Sequence, residues 1–230
     1  MKNKIIVAPL NWGLGHASRC VPIIRFLIEN KFRPIIASDG SALSFLQKEF
    51  PRLEFLELPS YHIRYIKSLQ FGLLMQAPKI LNAIQKEKKV IDQFLAKNKD
   101  VVGIISDNRF GVRNTKIPSV YLTHQINVLS GITTFFTSQI HQYFIRKFDE
   151  CWIPDSQDNI LSGKLSKPSQ NRIKLKFIGP LSRFQKHETS IQNDLLIILS
   201  GIESQRKSLE EKIRLELKTY NGKVTLVRGK

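Results

Sequence analysis

The chain is short of the residues and runs that mark several large classes of protein. Cysteine occurs twice in 230 residues, at Cys20 and Cys151, with no CxxC spacing. Two thiols cannot build the disulfide framework of a small secreted domain, so a reducing, cytoplasmic setting is expected. No window approaches the roughly 18 uninterrupted apolar residues of a bilayer span, which excludes a transmembrane helix. Met1-Lys2-Asn3-Lys4 leads straight into a short apolar strand, without the apolar stretch and small-residue cleavage site of a signal peptide. His, Cys and carboxylate residues nowhere fall at metal-ligand spacing, so neither a metal site nor any cofactor is expected. Acidic residues are scarce, 19 against 36 Lys and Arg, a formal net charge of +17. That excess points to an anionic partner, whether nucleic acid, anionic lipid or a phosphorylated substrate, and does not choose among them. Aromatic residues do not interleave with the basic ones as a base-stacking platform requires, and no RNA or DNA module is recognisable, so nucleic acid is not an expected partner.

What is present is an ordinary globular composition, 42% hydrophobic and 24% charged. The apolar run from Ile5 to Leu10 reads as a buried strand. Val21 to Asn30 reads as a helix, with Val21, Ile24, Leu27 and Ile28 at helical spacing. Between them lies Asn11-Trp12-Gly13-Leu14-Gly15-His16-Ala17-Ser18-Arg19, a strand-to-helix turn. Gly13 and Gly15 permit a tight turn and close approach of a ligand, and the first helical N–H groups point at whatever lies above the strand ends. The positive end of the helix dipole favours a neutral imidazole at His16, the form a general base needs.

Further along, Arg33 to Ser38 reads as a strand, Asp39-Gly40-Ser41 as a turn and helix cap, Ala42 to Phe50 as a helix, and Leu53 to Leu58 as a third strand. This βαβαβ run predicts a doubly wound parallel sheet. Tyr61 to Lys89 is less regular. Its apolar cluster, Leu69, Phe71, Leu73, Leu74 and Met75, is flanked by Arg64, Lys67, Lys79, Lys86, Lys88 and Lys89. It reads either as a monotopic membrane contact or as a core helix with a solvated basic edge. Pro78 is expected in the first turn of a long helix reaching towards Asn98. Val101 to Ile105 reads as a strand buried on both faces, ending in Ser106-Asp107-Asn108-Arg109, and Pro118 to Leu122 as another, ending in Thr123-His124-Gln125-Ile126-Asn127. Both polar clusters fall at carboxyl ends of strands, where open α/β sheets place ligands. Gly131 to Phe148 is mostly helical, and short strands follow at Glu150 to Pro154 and Lys174 to Ile178. The organisation expected is a Rossmann-like domain over 1–182, a polar linker over 183–193, and the first β-α-β of a second Rossmann-like domain over 194–230. There Ser200-Gly201 opens a glycine turn into a helix that includes Gln205.

The order of elements, Gly13-Leu14-Gly15-His16 after the first strand, His124-Gln125-Ile126-Asn127 after a later one, and Ser200-Gly201 opening the second unit together resemble the GT-B glycosyltransferases. Within them they resemble family 28, typified by the bacterial enzyme that adds N-acetylglucosamine to a lipid-linked peptidoglycan precursor; relatives sharing a GLGHxxR turn look nearer still. The prototype's turn is GGTGGH, and here Trp12 stands in place of a small residue. The resemblance implies an acceptor-binding amino-terminal domain and an incomplete nucleotide-sugar domain. It implies transfer of a hexose or N-acetylhexosamine from a UDP-linked donor to a glycan or lipid-linked hydroxyl acceptor. The basic excess and the lysine-edged apolar cluster add the expectation of a cytoplasmic protein that is peripheral on the anionic inner face of the cytoplasmic membrane.

Inverting sugar transfer needs a base for the acceptor hydroxyl and stabilisation of the departing diphosphate. His16 is the candidate base against a residue that only packs or caps. Asp107 either orients its imidazole or is a solvated turn aspartate. Gly13, Gly15, Arg19, Asn108, His124, Gln125 and Asn127 are the candidate acceptor-binding residues, and Ser200, Gly201 and Gln205 the candidate donor-binding ones. Arg19 and Arg109 are placed either to meet acceptor phosphates or as surface arginines without that duty. A nucleotide-sugar 2-epimerase of the same architecture, and a basic nucleic-acid- or membrane-binding module, are the competing readings. With one side of a cleft alone, the chain is expected to be inactive by itself.

Overall fold

The computed structural model describes residues 3–61, 69–129, 131, 134–158, 161–167, 173–200 and 203–228, with backbone only at 69–77 and 203–204. The chain forms two units, Met1–Phe184 and Gln185–Lys230. In the first, the elements run β1 (Lys4–Pro9), α1 (Leu14–Glu29), β2 (Arg33–Ser38), α2 (Gly40–Glu49), β3 (Glu54–Glu57), α3 (Leu69–Lys97), β4 (Val101–Asp107), β5 (Ser119–Leu122), α4 (Thr134–Ile145), β6 (Glu150–Ile153) and β7 (Leu175–Phe177). The seven strands make one sheet in the order β3-β2-β1-β4-β5-β6-β7, and each neighbouring pair is parallel. The expected doubly wound Rossmann-like sheet is therefore what the chain builds.

Strand alternation divides the core between the two faces. Val7, Ile36 and Ile105 pack with Val21, Ile24 and Leu27 of α1 and with Leu43 and Leu46 of α2. Their neighbours Ile6, Ala8, Ile35, Ala37 and Ile104 pack on the other face with Ile91 and Leu95 of α3. Side chains such as Ile6, Ile24, Ile35 and Ile36 lose all solvent contact, each contributing about 1.5–3 kcal/mol of transfer free energy. A third cluster, Tyr121, Ile145, Phe148, Cys151 and Ile153, seats α4 on β5 and β6.

Three local expectations are corrected. Helix α1 begins at Leu14, ahead of the apolar periodicity that starts at Val21, so His16 sits in its first turn, near the helix start as expected, and Arg19 also lies inside it. Helix α3 begins at Leu69, which puts Pro78 in its interior rather than its first turn. Asp39 holds the N-cap position of α2 without a side-chain cap bond; the Ala42 N–H donates instead to Asn11 Oδ1 at 3.2 Å, and the Ser41 hydroxyl to the same oxygen at 2.9 Å. The apolar cluster proposed as a membrane contact, with Arg64 and Lys67, lies outside the described side chains. Among the described residues no helix is long and apolar enough to cross a membrane.

The second unit is a β-α-β element in which β8 (Leu195–Ile198) pairs in parallel with β9 (Val224–Val227) across α5 (Glu203–Glu216). Asp194 Oδ2 accepts from the Lys223 N–H at 2.7 Å, and Glu210 pairs with Arg214 and Arg228 at 2.8 and 2.7 Å.

Candidate functional site

The strand order reverses between β1 and β4. The connections leaving them run to opposite sides and open a crevice at their carboxyl ends. Pro9 pairs with Asp107, the last residue of β4, and the Leu10 N–H donates to the Asp107 carbonyl at 2.9 Å. The chain then turns through Gly13, whose φ of 73° and ψ of 175° form a combination essentially restricted to glycine. A Cβ at Gly13 or Gly15 would meet nothing within 4 Å, so the start of α1 is open. Its first turn holds no acidic residue and no side-chain cap, which leaves the leading N–H groups for a ligand.

From this turn α1 presents His16, Arg19 and Cys20, spaced three and four residues apart on one helical face. All three reach Asp107. His16 Nδ1 lies 2.9 Å from Oδ1, Arg19 Nε donates to Oδ2 at 2.7 Å, Arg19 Nη2 donates to Oδ1, and Cys20 Sγ is 3.6 Å from Oδ2. His124, two residues past the Leu122 that pairs with Asp107, completes the group: its Nδ1 lies 2.9 Å from Arg19 Nη1. Arg19 Nη2 is also 2.9 Å from His16 Nδ1. Asp107 is fully buried. Burial pushes its carboxyl up, but the charges and hydrogen bonds of Arg19 and His16 outweigh this and hold it below the usual carboxylate range. For Arg19, burial works downward and Asp107 more than reverses it. His124 is held below the ordinary histidine value by burial, then by the nearby Arg19 and His16. Asn108, at a positive φ of 59°, accepts from the Tyr121 hydroxyl at 3.0 Å through Oδ1.

The geometry brings His16, Asp107, Arg19 and His124 into one cluster with Gly13, Gly15 and Asn108 at its edge. Within the same unit, Asn127 and Gln125 have other partners. Asn127 clamps a loop, donating to the carbonyls of Lys164 and Lys167 and accepting from Gln142 Nε2 at 3.1 Å. Gln125 takes part through its backbone, its carbonyl accepting from His141 Nε2–H at 2.8 Å. Ser200 and Gln205 belong to the second unit, before and within α5, and Gly201 lies outside the described residues.

Arg109 is corrected outright. It is neither a surface residue nor open to an acceptor phosphate, but fully buried. It donates to the Pro9 carbonyl at 3.0 Å, to Glu87 Oε1 at 2.6 Å and to Asp39. The sequence reading also missed Asn11, whose Nδ2 donates to Asp39 Oδ2 at 3.1 Å while its Oδ1 caps α2. No sequence signal marks that contact, because the partners are 28 residues apart. The Arg19 contact did have a signal, its i,i+3 spacing from His16 once α1 is begun at the glycine turn.

No protein-family model matches the chain, and no curated protein sequence matches it. Solved structures do. A UDP-glucosyltransferase from Polygonum tinctorium capable of glucosylating indoxyl and 3,4-dichloroaniline superposes with a TM-score of 0.61 at 12% identity, over 98% of this chain and 65% of that one. A Medicago truncatula UGT complexed with UDP-glucose gives 0.60 at 13% identity, over 98% and 66%. Acinetobacter baumannii MurG gives 0.51 at 11% identity, over 97% and 57%. The chain thus spans about two thirds or less of the length of these structures. At such identities the likeness concerns fold: the seven-stranded unit has the architecture of a GT-B glycosyltransferase amino-terminal domain.

Proposed function

We propose that this chain is the acceptor side of an inverting GT-B glycosyltransferase, with His16 as general base and Asp107 as the group that orients it. The observation carrying this reading is the His16 Nδ1–Asp107 Oδ1 contact of 2.9 Å, built at the reversal point of the sheet beside an open glycine turn. A buried, ionised carboxylate fixes the imidazole through Nδ1–H and leaves Nε2 with a lone pair, as an orienting acid does in a triad. Nε2 takes the proton of an acceptor hydroxyl. The oxygen forms a bond to the anomeric carbon of a nucleotide sugar, UDP-linked in this reading, while the bond to the diphosphate breaks and the nucleotide leaves with the electron pair. Each turnover therefore gives one glycoside, one nucleoside diphosphate and one proton. The acceptor is a glycan or lipid-linked hydroxyl of the family 28 kind. Ser200, Gly201 and Gln205 in the second unit take the donor diphosphate, and no metal or cofactor enters the step.

Because transfer needs both sides of a cleft, the test uses this chain together with a complete donor-binding domain. UDP release is measured from UDP-glucose and UDP-N-acetylglucosamine over a panel of hydroxyl acceptors. His16→Gln and Asp107→Asn are expected to lower kcat by about 10²–10⁴-fold, the range of a lost acid–base group, with unchanged circular dichroism. Wild-type turnover in either variant would remove the pair from the mechanism.

A further inference from the structure

The guanidinium of Arg19 is committed inside the cluster. Its Nε donates to Asp107 Oδ2 at 2.7 Å and its Nη2 to Oδ1, a fork that a carboxylate or a phosphate can each fill. Here Asp107 fills it. Nη1 lies 2.9 Å from His124 Nδ1, and Nη2 lies 2.9 Å from His16 Nδ1. All three guanidinium nitrogens therefore have partners, and the side chain is only 13% exposed. The partners come from three parts of the sheet's carboxyl end. His16 shares α1 with Arg19, Asp107 ends β4, and His124 follows β5. His16 Nδ1 touches both halves of the ion pair, since it is also 2.9 Å from Asp107 Oδ1, so the ring is held there whichever half shares its proton. Asp107 is fully buried, and a buried carboxylate without a cation draws protons onto the nearest bases. Arg19 supplies that cation.

We infer that Arg19 is a positioning residue, a strut that neutralises Asp107 and fixes His16 and His124 through their Nδ1 atoms, and that it does not bind an acceptor phosphate. A planar group with donors at fixed angles suits this task, because it can meet one carboxylate edge-on and still reach a ring from each terminal nitrogen. A lysine would bring the same charge as a single point and could not span the three partners. Resting on the transferase reading, this role makes Arg19 felt in kcat rather than in acceptor affinity, since it holds the base and its carboxylate and leaves the acceptor alone. The fork that would clamp a phosphate is occupied before any acceptor arrives.

The strut is read first without any substrate. The charged and titratable groups facing His124 are Arg19, His16, Asp107 and Asp155, and burial followed by Arg19 holds its titration below the ordinary histidine value. Arg19→Met removes the cation and sets the ring beside an uncompensated Asp107. The His124 titration, followed by NMR on the full chain and assigned with His124→Gln, should then shift upward by about tenfold in proton affinity. Arg19→Met/Asp107→Asn compared with Asp107→Asn should shift it the same way, and that pair remains readable if the single variant does not fold. An unmoved His124 in both comparisons would overturn the strut. In the assay that includes a complete donor domain, Arg19→Met should lower kcat by up to about 10²-fold, the scale of a misplaced catalytic group, with acceptor KM held within about twofold. Phosphorylated and unphosphorylated acceptors should behave alike, and Arg19→Lys should recover only part of kcat. A KM that rises for phosphorylated acceptors alone would make Arg19 a phosphate ligand, and full recovery by lysine would reduce its role to charge; either result overturns the inference. A shifted His124 titration in a protein without turnover would instead defeat the transferase reading and leave the strut standing.

Discussion

Replacing Arg109 by methionine keeps the bulk of the side chain and removes a buried cation. In the native protein its guanidinium donates to Glu87 Oε1 at 2.6 Å, to Asp39, and to the carbonyls of Pro9 and Pro59 at 3.0 and 3.3 Å. In the variant Glu87 keeps the Tyr61 hydroxyl at 2.7 Å and the Gly111 N–H at 3.1 Å, and Asp39 keeps Asn11 Nδ2 at 3.1 Å. Neither carboxylate keeps a counter-charge from this network. Breaking a buried pair from one side costs about 3–5 kcal/mol, a large share of the roughly 5–15 kcal/mol that holds a domain folded. The loss has a pH signature. Burial pushes the Glu87 carboxyl up to about 8 in the native protein, and removing the neighbouring Arg109 cation pushes it further in the same direction. The folded variant therefore holds Glu87 protonated more strongly than the native protein does, and the stability lost by the substitution grows as pH rises above the unfolded value of 4.5. Urea denaturation followed by circular dichroism at pH 5 and pH 8 reads both effects. The variant should lose more at pH 8, and adding Glu87→Gln and Asp39→Asn should recover most of it, since a neutral set leaves no unpaired charge. A loss below about 1 kcal/mol at pH 8, or one independent of pH, would refute the assignment of Arg109 as the central charge of a buried network.

Two further outcomes follow from named contacts. Burial pushes His141 down to about 4 from 6.5, so the stability it contributes is present above pH 6.5 and lost as pH falls towards 4, up to about 3 kcal/mol. His141→Gln should flatten that part of a stability–pH curve, and an unchanged slope between pH 7.5 and 4.5 would contradict it. A Cβ at Gly111 would overlap the Ile84 carbonyl and lie 2.6 Å from Glu87 Cβ. Gly111→Ala should therefore cost about 2 kcal/mol or more in thermal or urea unfolding, whereas Gly15→Ala, with open space around it, should not destabilise the fold; equal stability of the two variants would show that the α3 contact yields easily.

The parallel sheet was legible because its signals are local and repeated. Ile5 to Leu10, Pro34 to Ala37 and Val101 to Ile105 are apolar runs bounded by polar or turn residues, as a sheet covered on both faces demands, although Val102 at the start of β4 is exposed. His16 and Asp107 could be singled out because a glycine turn and a strand end are sequence features. The apolar periodicity that marks α1 begins only at Val21, because Gly15, His16 and Ser18 are poor helix formers, and the open start of the helix is set by Gly13 rather than by propensity. Arg19 stands ahead of that periodicity, so its place one turn beyond His16 is visible only once the helix is begun at Leu14. Arg109 was misjudged for a different reason. A lone arginine after a strand is usually solvated, and its two carboxylate partners lie 70 and 22 residues away. Only folding brings Asp39 and Glu87 to it.

The carboxyl end of β4 carries two separate charge networks within three residues. Asp107 reaches α1 through His16, Arg19 and Cys20, whereas Arg109, two residues on, reaches Asp39 at the start of α2 and Glu87 in α3. Between them Asn108 adopts a positive φ of 59°, a conformation that asparagine tolerates better than most residues, and the backbone turns there. The two ion pairs are nevertheless linked. Arg109 binds Asp39, Asp39 accepts from Asn11, and Asn11 opens the turn whose Gly13 starts α1 and sets the height of His16. The His16 imidazole is thus held from one side by Asp107, and the turn before it from the other by Arg109 through Asp39 and Asn11. Charge removal at Asp107 should then disturb the imidazole while the buried network stays intact. Charge removal at Arg109 reaches the imidazole only by loosening the turn beneath it.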